Sequence, residues 1–201
     1  TEASYKLNTI TGSYICRKLE CAVASDYSMF VRYSSTANIQ TYLNAIYNAA
    51  EANYTSLNVD IDFVTVTYYH ATTSTDPFQT NVSTDAVAYL YNFRSWGNGG
   101  GFGATVYDFG SCWTAVNISG GVVGMAFLDA ICNDYRYQLN EDFTGYTGVP
   151  PSPAALSNLR VVVAHETGHN FGMWHNNPAT DEIMEPYVNT NATQFYSVSQ
   201  H

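Results

Sequence analysis

Basic residues are scarce in this sequence. Seven lysines and arginines stand against 17 aspartates and glutamates, which gives a formal net charge of −10 over 201 residues. Lys6 and Lys18 are the only lysines, so no surface can carry the basic stripe that binding to a phosphate backbone requires. We therefore expect no nucleic-acid partner, and an anionic membrane is an equally poor one.

Long apolar runs are also missing. No stretch reaches the roughly 18–20 apolar residues of a membrane-spanning helix; the most apolar ones, Gly120–Leu128 and Val161–Ala164, have the length of a strand or a helix segment. The chain is 46% hydrophobic and 15% aromatic but only 12% charged, which is typical of globular rather than disordered proteins. Its length suits one domain better than two, and we expect a monomer.

Cys-x-x-Cys pairs are absent too. The four cysteines, Cys16, Cys21, Cys112 and Cys132, form an even set. This argues against a thiolate zinc site and favours disulfides in an oxidising compartment, although their spacing does not choose among the three possible pairings. No basic segment followed by an apolar one opens the chain, so we expect that any targeting segment has been removed and that the protein is secreted.

The pattern of apolar residues predicts a mixture of helices and strands. Three segments are predicted as helices: Asn38–Tyr54, Ser83–Arg94 and Pro153–Asn170. Five are predicted as strands: Glu20–Asp26, Val59–Tyr69, Ala104–Phe109, Gly120–Leu128 and Tyr135–Glu141. A glycine-rich loop is expected at Gly97–Gly103, and the chain beyond Gly172 is expected to be loop-like.

The end of the last predicted helix carries a candidate metal site. His165 and His169 are four residues apart, so one helical face aims both imidazoles at one point. Gly172 can end the helix in a sharp turn that returns His175 to that point. Three imidazoles leave one tetrahedral position on zinc for water, as in catalytic sites, and Glu166 is placed to reach that water.

A plainer interpretation is that these are ordinary surface histidines on a helix. That interpretation suits a lone HExxH pattern, but the residue frequencies of this chain give a probability on the order of 10⁻⁵ for all five positions together. The other histidines, His70 and His201, are not ligand candidates.

The longer pattern resembles a known group. HExxHxxGxxH followed by Met184 is similar to the metzincin zinc endopeptidases, in which a methionine-containing turn lies beneath the metal. The segment HETGHNFGMWH and the segment Ile183–Pro186 are most similar to the sequences of the reprolysin or adamalysin branch. This branch comprises the catalytic domains of ADAM, ADAMTS and snake-venom metalloproteinases. The similarity extends over most of residues 20–190.

This resemblance implies an α/β (zincin-like α+β) fold. We expect a mixed, mostly parallel, twisted five-stranded sheet with packed helices, and an active-site cleft above a small irregular C-terminal subdomain. Residues 1–201 would form a single catalytic domain, with an upper subdomain of about 1–172 and a lower one of about 173–201.

The resemblance also implies peptide-bond hydrolysis of protein or peptide substrates with one catalytic zinc ion. Glu166 would serve as general base and acid, and Met184 as an apolar floor rather than a ligand. Substrate would lie along an edge strand that includes Gly124, Met125 and Ala126. Pro186, Tyr187 and Val188 would form the pocket wall, although plain packing is nearly as good an explanation of these three. The alternative from another class is a catalytically inactive zinc-binding recognition or adhesion module, against which the intact Glu166 argues.

Some positions depart from the family pattern. Asn176 stands where an Asp usually follows the third histidine, and Pro186 stands where related branches place a Tyr two residues after the methionine. Glu20 fits one calcium-ligand position, but no matching Asp is found before the predicted third strand, so calcium is unsupported. Trp174 is expected to pack.

Overall fold

The computed structural model describes residues 15–57, 59–78, 84–176 and 181–195. The strands and helices of this part of the chain are, in order, β1 (Ile15–Ser25), α1 (Tyr27–Tyr33), α2 (Thr36–Tyr54), β2 (Val59–His70), α3 (Ala86–Trp96), β3 (Phe109–Thr114), β4 (Gly124–Ala126), β5 (Tyr137–Glu141) and α4 (Pro153–Asn170). Among the helices in these ranges, none has the length and apolar character needed to cross a membrane.

Every one of these helices begins at a residue whose side chain caps it. Asp26, Ser35, Asp85 and Ser152 each accept a hydrogen bond from the backbone N–H three residues further on, which satisfies one of the free donors at a helix start. Pro153 follows the last of these caps at the first helical position, where its missing N–H costs nothing. These caps fix the starts of the helices locally, and that of α4 fixes the helix that carries the histidines.

The sheet confirms the predicted architecture. Its five strands lie in the order β2-β1-β3-β5-β4. The pairs β1/β2, β1/β3 and β3/β5 are parallel, whereas β4 pairs with β5 in the antiparallel direction. The sheet is therefore mixed and mostly parallel, and its short antiparallel strand β4 forms one edge.

Helices cover both faces of this sheet. Alternate residues of β1 point to opposite faces: Cys21 and Val23 join the core under α2 and α4, while Ala22 and Ala24 join the core under α3. Tyr54 of α2 links the first core to the candidate site, because its buried hydroxyl donates to the carbonyl of Ala164 in α4 at 2.9 Å. This packing holds α4 firmly against the sheet.

Two expectations about elements are wrong. The third strand is β3, not Ala104–Phe109; of the predicted segment only Phe109 belongs to β3, residues 104–108 are loop, and Val106 is 79% exposed. β3 is buried along its whole length, so it lacks the alternation by which half-exposed strands are recognised. The second error is the missing α1, because Asp26 reads as a turn signal whereas its side chain caps a short helix.

The remaining differences concern boundaries. β1 begins earlier than predicted, β4 covers only Gly124–Ala126 of the expected Gly120–Leu128, and Gly97–Gly101 continues α3 as a wide helical turn rather than a loop. α3 begins at Ala86, and the predicted start at Ser83 lies outside the described residues. Helix α4 has the predicted limits. Residues 181–195 contain turns and no helix or strand.

Candidate metal centre and substrate cleft

The end of α4 brings the first two histidines together and turns the chain toward the third. Gly172 has φ +89°, a left-handed conformation that favours glycine. The N–H of Gly172 donates to the carbonyl of His169 at 2.8 Å, and the N–H of Met173 donates to the carbonyl of Gly168 at 2.9 Å. These bonds close the helix, and the turn returns His175 to the face that carries His165 and His169.

The three imidazoles converge through their Nε2 atoms. His175 Nε2 lies 3.1 Å from His165 Nε2 and 3.1 Å from His169 Nε2, and the three candidate ligand atoms all lie within 4.8 Å of one another. A tetrahedral zinc ion with Zn–N bonds of about 2.0–2.1 Å holds its ligand atoms about 3.3 Å apart. The two distances of 3.1 Å from His175 Nε2 are close to that value, and the trio is therefore the candidate zinc site.

The protonation of the rings fits the same ion. His165 Nδ1 lies 2.7 Å from the carbonyl of Ile183, and His169 Nδ1 lies 2.7 Å from that of Met173. A carbonyl can only accept, so each Nδ1 carries the proton and each Nε2 presents a lone pair. Burial lowers the pKa of His165 to about 4 and lowers that of His169, which keeps both rings in the neutral form that binds metal.

Glu166 places a carboxylate beside this trio. Its side chain is buried, and Oε2 has no hydrogen-bond partner among the described residues. Burial raises the pKa of Glu166 to about 8. A Cβ built on Gly124 of β4 would come within 2.3 Å of Glu166 Oε1, so the carboxylate lies against the edge strand where only a glycine leaves room.

The turn containing Met184 lies beneath α4. Met184 is buried, and a Cβ built on Gly168 would come within 2.6 Å of its Sδ. The neighbouring carbonyl of Ile183 holds His165, and the carbonyl of Met184 accepts from the N–H of Asn176 at 2.9 Å. The methionine turn therefore supports the site by packing and through its main chain.

A second set of bonds fastens the edge strand to the end of α4. The N–H groups of Asp129 and Ala130, just after β4, donate to the last carbonyls of the helix, His169 and Asn170, at 2.9 and 2.8 Å. The amide of Asn170 donates in return to the carbonyl of Phe127 at 2.7 Å. The strand and the histidines are thus held at a fixed separation.

A cleft of about 600 Å³ joins these parts. Its lining contains the three histidines, Glu166 and all the predicted substrate-binding residues, namely Gly124, Met125, Ala126, Pro186, Tyr187 and Val188. It also contains Val161, Val162 and Phe143, which sequence reasoning missed. Val161 and Val162 lie four and three residues before His165, so their helical spacing could have revealed them. Phe143, just after β5, gives no such signal.

The remaining predictions of this kind concern His70, His201 and Trp174. His70 ends β2, and its Nδ1 lies 2.8 Å from the hydroxyl of Ser25, while His201 lies outside the described residues. Trp174 is 65% exposed, so the expected packing role is wrong. The turn that brings His175 to the other two histidines leaves the neighbouring indole in solvent.

The Asp that was not found beside Glu20 is present. Asp108 directly precedes β3, and its Oδ2 accepts from the N–H of Glu20 at 2.8 Å. The misplaced third strand concealed it. The carboxylate of Glu20 pairs with Lys18 at 2.6 Å.

The cysteines do not show the expected pairing. Cys21, Cys112 and Cys132 are free. Cys21 and Cys112 lie in cores on opposite faces of the sheet, and exposed Cys132 donates from Sγ to Asp108 Oδ1 at 3.3 Å. No disulfide joins these three, and the side chain of Cys16 lies outside the described part.

Comparison with known proteins agrees with this geometry. In a solved structure described as that of a chaperone–substrate complex, one chain superimposes with a TM-score of 0.60 at 12% sequence identity, over 89% of this chain and 29% of that chain. This likeness concerns the fold, and the chain spans less than a third of that longer protein. The family model for Reprolysin-like metallo-peptidases of family M12B matches residues 16–196. The chain therefore belongs to the reprolysin-like M12B metallopeptidase family.

Proposed function

We propose that this domain is a zinc-dependent endopeptidase in which His165, His169 and His175 hold one catalytic zinc ion. One observation carries the proposal: three Nε2 atoms converge, with His175 Nε2 3.1 Å from each of the other two, next to a buried carboxyl group that lacks a partner for one oxygen within the described residues. The lone pairs of His165 Nε2 and His169 Nε2 are directed to this one place, where they would both attract a cation. A purely structural role explains neither the convergence nor Glu166.

Glu166 is the proposed general base and acid. Bound zinc supplies Lewis-acid chemistry, which lowers the pKa of water toward about 7 and polarises a carbonyl. In its ionised form, Glu166 would take the proton from the attacking water and pass it to the nitrogen of the leaving amine, a role that typically contributes roughly 10²–10⁴-fold. Its free Oε2 is the atom available for that proton.

Substrate would bind by adding a strand to β4. The carbonyl of Val123 accepts from the N–H of Glu141, and the N–H of Phe127 donates to the carbonyl of Tyr137. Both of these backbone groups therefore face β5. Backbone groups of alternate residues point to opposite sides of a strand. The N–H and C=O groups of Gly124 and Ala126 therefore point away from β5, to the side of β4 on which the described residues form no strand. An extended peptide can pair there beside Glu166.

The pocket wall gives the cleft its apolar side. Val161 and Val162 of α4 and Pro186 and Val188 of the lower segment line the same cleft as the histidines. Tyr187 also lines it and is 75% exposed, so its ring is available to a bound peptide. We infer that these residues contact substrate side chains.

The broader sequence predictions remain part of this proposal. We propose that residues 1–201 act as one catalytic domain with the cleft between upper and lower parts, and that the domain works as a monomer outside the cell on protein or peptide substrates.

The test is proteolysis of casein and of a peptide library, with and without a zinc chelator, by the wild-type protein and by Glu166→Ala. We expect cleavage that the chelator abolishes and that the substitution reduces by at least about 10²-fold. Turnover that survives the chelator, or full activity of the variant, would contradict the proposal. Zinc-loaded protein that cleaves no library member would favour the inactive binding module.

A further inference from the structure

The third histidine has less side-chain support than the other two. His165 and His169 each have a carbonyl 2.7 Å from Nδ1. Nδ1 of His175 makes no such bond to the residues that the structure describes, and its side chain is exposed. An outer hydrogen bond normally fixes the orientation of a ligand ring. The position of His175 therefore depends on how the main chain around it is held.

Asn176 holds that main chain at two points. Its N–H donates to the carbonyl of Met184 at 2.9 Å, and its side-chain Nδ2 donates to Oε2 of Glu182. Glu182 is 8% exposed, so its carboxyl group is shielded from water. A hydrogen bond in such a buried position is stronger than one at the surface.

Glu182 belongs to a turn that is itself well fixed. The next residue, Ile183, is buried, donates from its N–H to the carbonyl of Gln194 at 2.9 Å, and offers its own carbonyl to His165. The turn thus contacts the first ligand through Ile183 and the segment of the third through Asn176. A shift of Glu182 relative to Asn176 would change the separation of the two imidazoles.

We propose that Asn176 and Glu182 form a positioning pair that sets the affinity of the site for zinc by tying the segment after His175 to the methionine turn. Neither residue touches the metal or the substrate in this scheme. The inference rests on the proposed zinc site, and it accounts for Asn176 at the position where the family resemblance leads one to expect Asp. An Asp there would face the carboxylate of Glu182, whereas Asn supplies the donor that this carboxylate requires.

The test exchanges the donor and the acceptor. Asn176→Asp places two carboxyl groups against each other, and we expect zinc affinity to fall by about 10–100-fold. In the double variant Asn176→Asp/Glu182→Gln, the new amide can donate to the new carboxylate, so we expect recovery to within about threefold of wild type. Glu182→Gln alone keeps an acceptor and should lose about threefold or less. Zinc affinity is measured by competition with a chromogenic chelator, and the thermal midpoint of each zinc-free protein is recorded in parallel.

Asn189→Asp is the matched control. Its amide donates to Asp181 Oδ1 at 2.7 Å and to Glu185 Oε2 at 3.4 Å in the same segment, so the change also sets carboxyl groups against one another but leaves the contact between Asn176 and Glu182 in place. We expect wild-type zinc affinity from this control. If Asn176→Asp fails to fold, Glu182→Ala, which removes the acceptor without adding a charge, is measured instead and should show the same loss of affinity.

Wild-type affinity in Asn176→Asp, or a double variant as weak as that single variant, would overturn the inference alone. A loss of the same size in Asn189→Asp would also overturn it, because the effect would then be general to the segment. Wild-type protein that binds no zinc in the same titration would remove the proposed function, and this inference with it. A purely structural pair would lower the zinc-free thermal midpoint without changing zinc affinity.

Discussion

Gly124→Ala is expected to abolish most activity while leaving the fold intact. The added Cβ would lie 2.3 Å from Glu166 Oε1 and 2.8 Å from both Cγ and Cδ of that side chain. Ordinary contact between such atoms begins near about 3.5 Å, so the carboxyl group has to move by about 1 Å. The end of a glutamate side chain can make that movement by rotating, at little cost to the backbone.

The magnitude follows from the position of Glu166 rather than from lost packing. Misplacement of a catalytic group by about 1 Å costs about 10²-fold in rate, equivalent to about 2.7 kcal/mol of transition-state stabilisation. The free energy of unfolding should change by less than about 1 kcal/mol, a shift of about 2–4 °C in Tm for a domain of this size. We therefore expect a large loss of kcat/KM with little loss of stability.

The assay compares kcat/KM on one peptide substrate, zinc content and Tm for wild type, Gly124→Ala and Gly99→Ala. A Cβ at Gly99 meets nothing within 4 Å, so this variant controls for the change from glycine to alanine itself. Retention of kcat/KM within about threefold in Gly124→Ala would refute the placement of Glu166 against β4 as the catalytic arrangement. Loss of zinc together with activity would refute it as well, because the substitution touches no histidine.

Three further outcomes are expected. His169→Ala should lose both zinc and activity, whereas His70→Ala should keep both; metal analysis and peptide hydrolysis check this, and an active His169→Ala would contradict the ligand assignment. Gly168→Ala should lower the free energy of unfolding by about 1 kcal/mol or more, because crowding of the Met184 sulfur outweighs the helix preference of alanine. Urea unfolding measures this change, and unchanged stability would contradict the close approach of Met184 to Gly168. Cys132 should react with a maleimide before Cys21 and Cys112, because Cys132 is exposed and the other two are buried. Partial burial and Asp108 raise the pKa of the Cys132 thiol, so its reactive thiolate form is scarcer at pH 7 and the reaction should be faster at pH 9. Peptide mapping checks the order, and an unreactive Cys132 would indicate that it is paired.

The candidate metal centre could be predicted from sequence because its spacing is local. Helical periodicity alone places His165 and His169 on one face, and α4 has the predicted limits. The glycine that ends the helix has the positive φ its position requires. These features depend on a few consecutive residues and not on the remainder of the fold.

The errors arose where burial removes a local signal. β3 is buried on both faces, and its polar residue Ser111 accepts from the amides of Gln138 and Asn140 on the neighbouring strand. Polar pairs of this kind form only after the strands meet, so the sequence favoured the more regular but exposed segment before it. The same error hid Asp108. Phe143 also lines the cleft. It lies in a turn just after β5, where no helical or strand periodicity indicates which way a side chain faces.

The support of the histidines explains why a short pattern carries so much of the function. The acceptors that orient His165 and His169 are main-chain carbonyls, those of Ile183 and Met173. A carbonyl is present whatever side chain a residue carries, so the orientation of these rings depends on the path of the chain. That path is set by Gly172 and by the buried turn around Met184, so under the proposed function substitutions in the cleft wall would alter substrate preference without disturbing it. His175 is the exception, because its segment is held by the side chains of Asn176 and Glu182, and there a single substitution should alter the metal site itself.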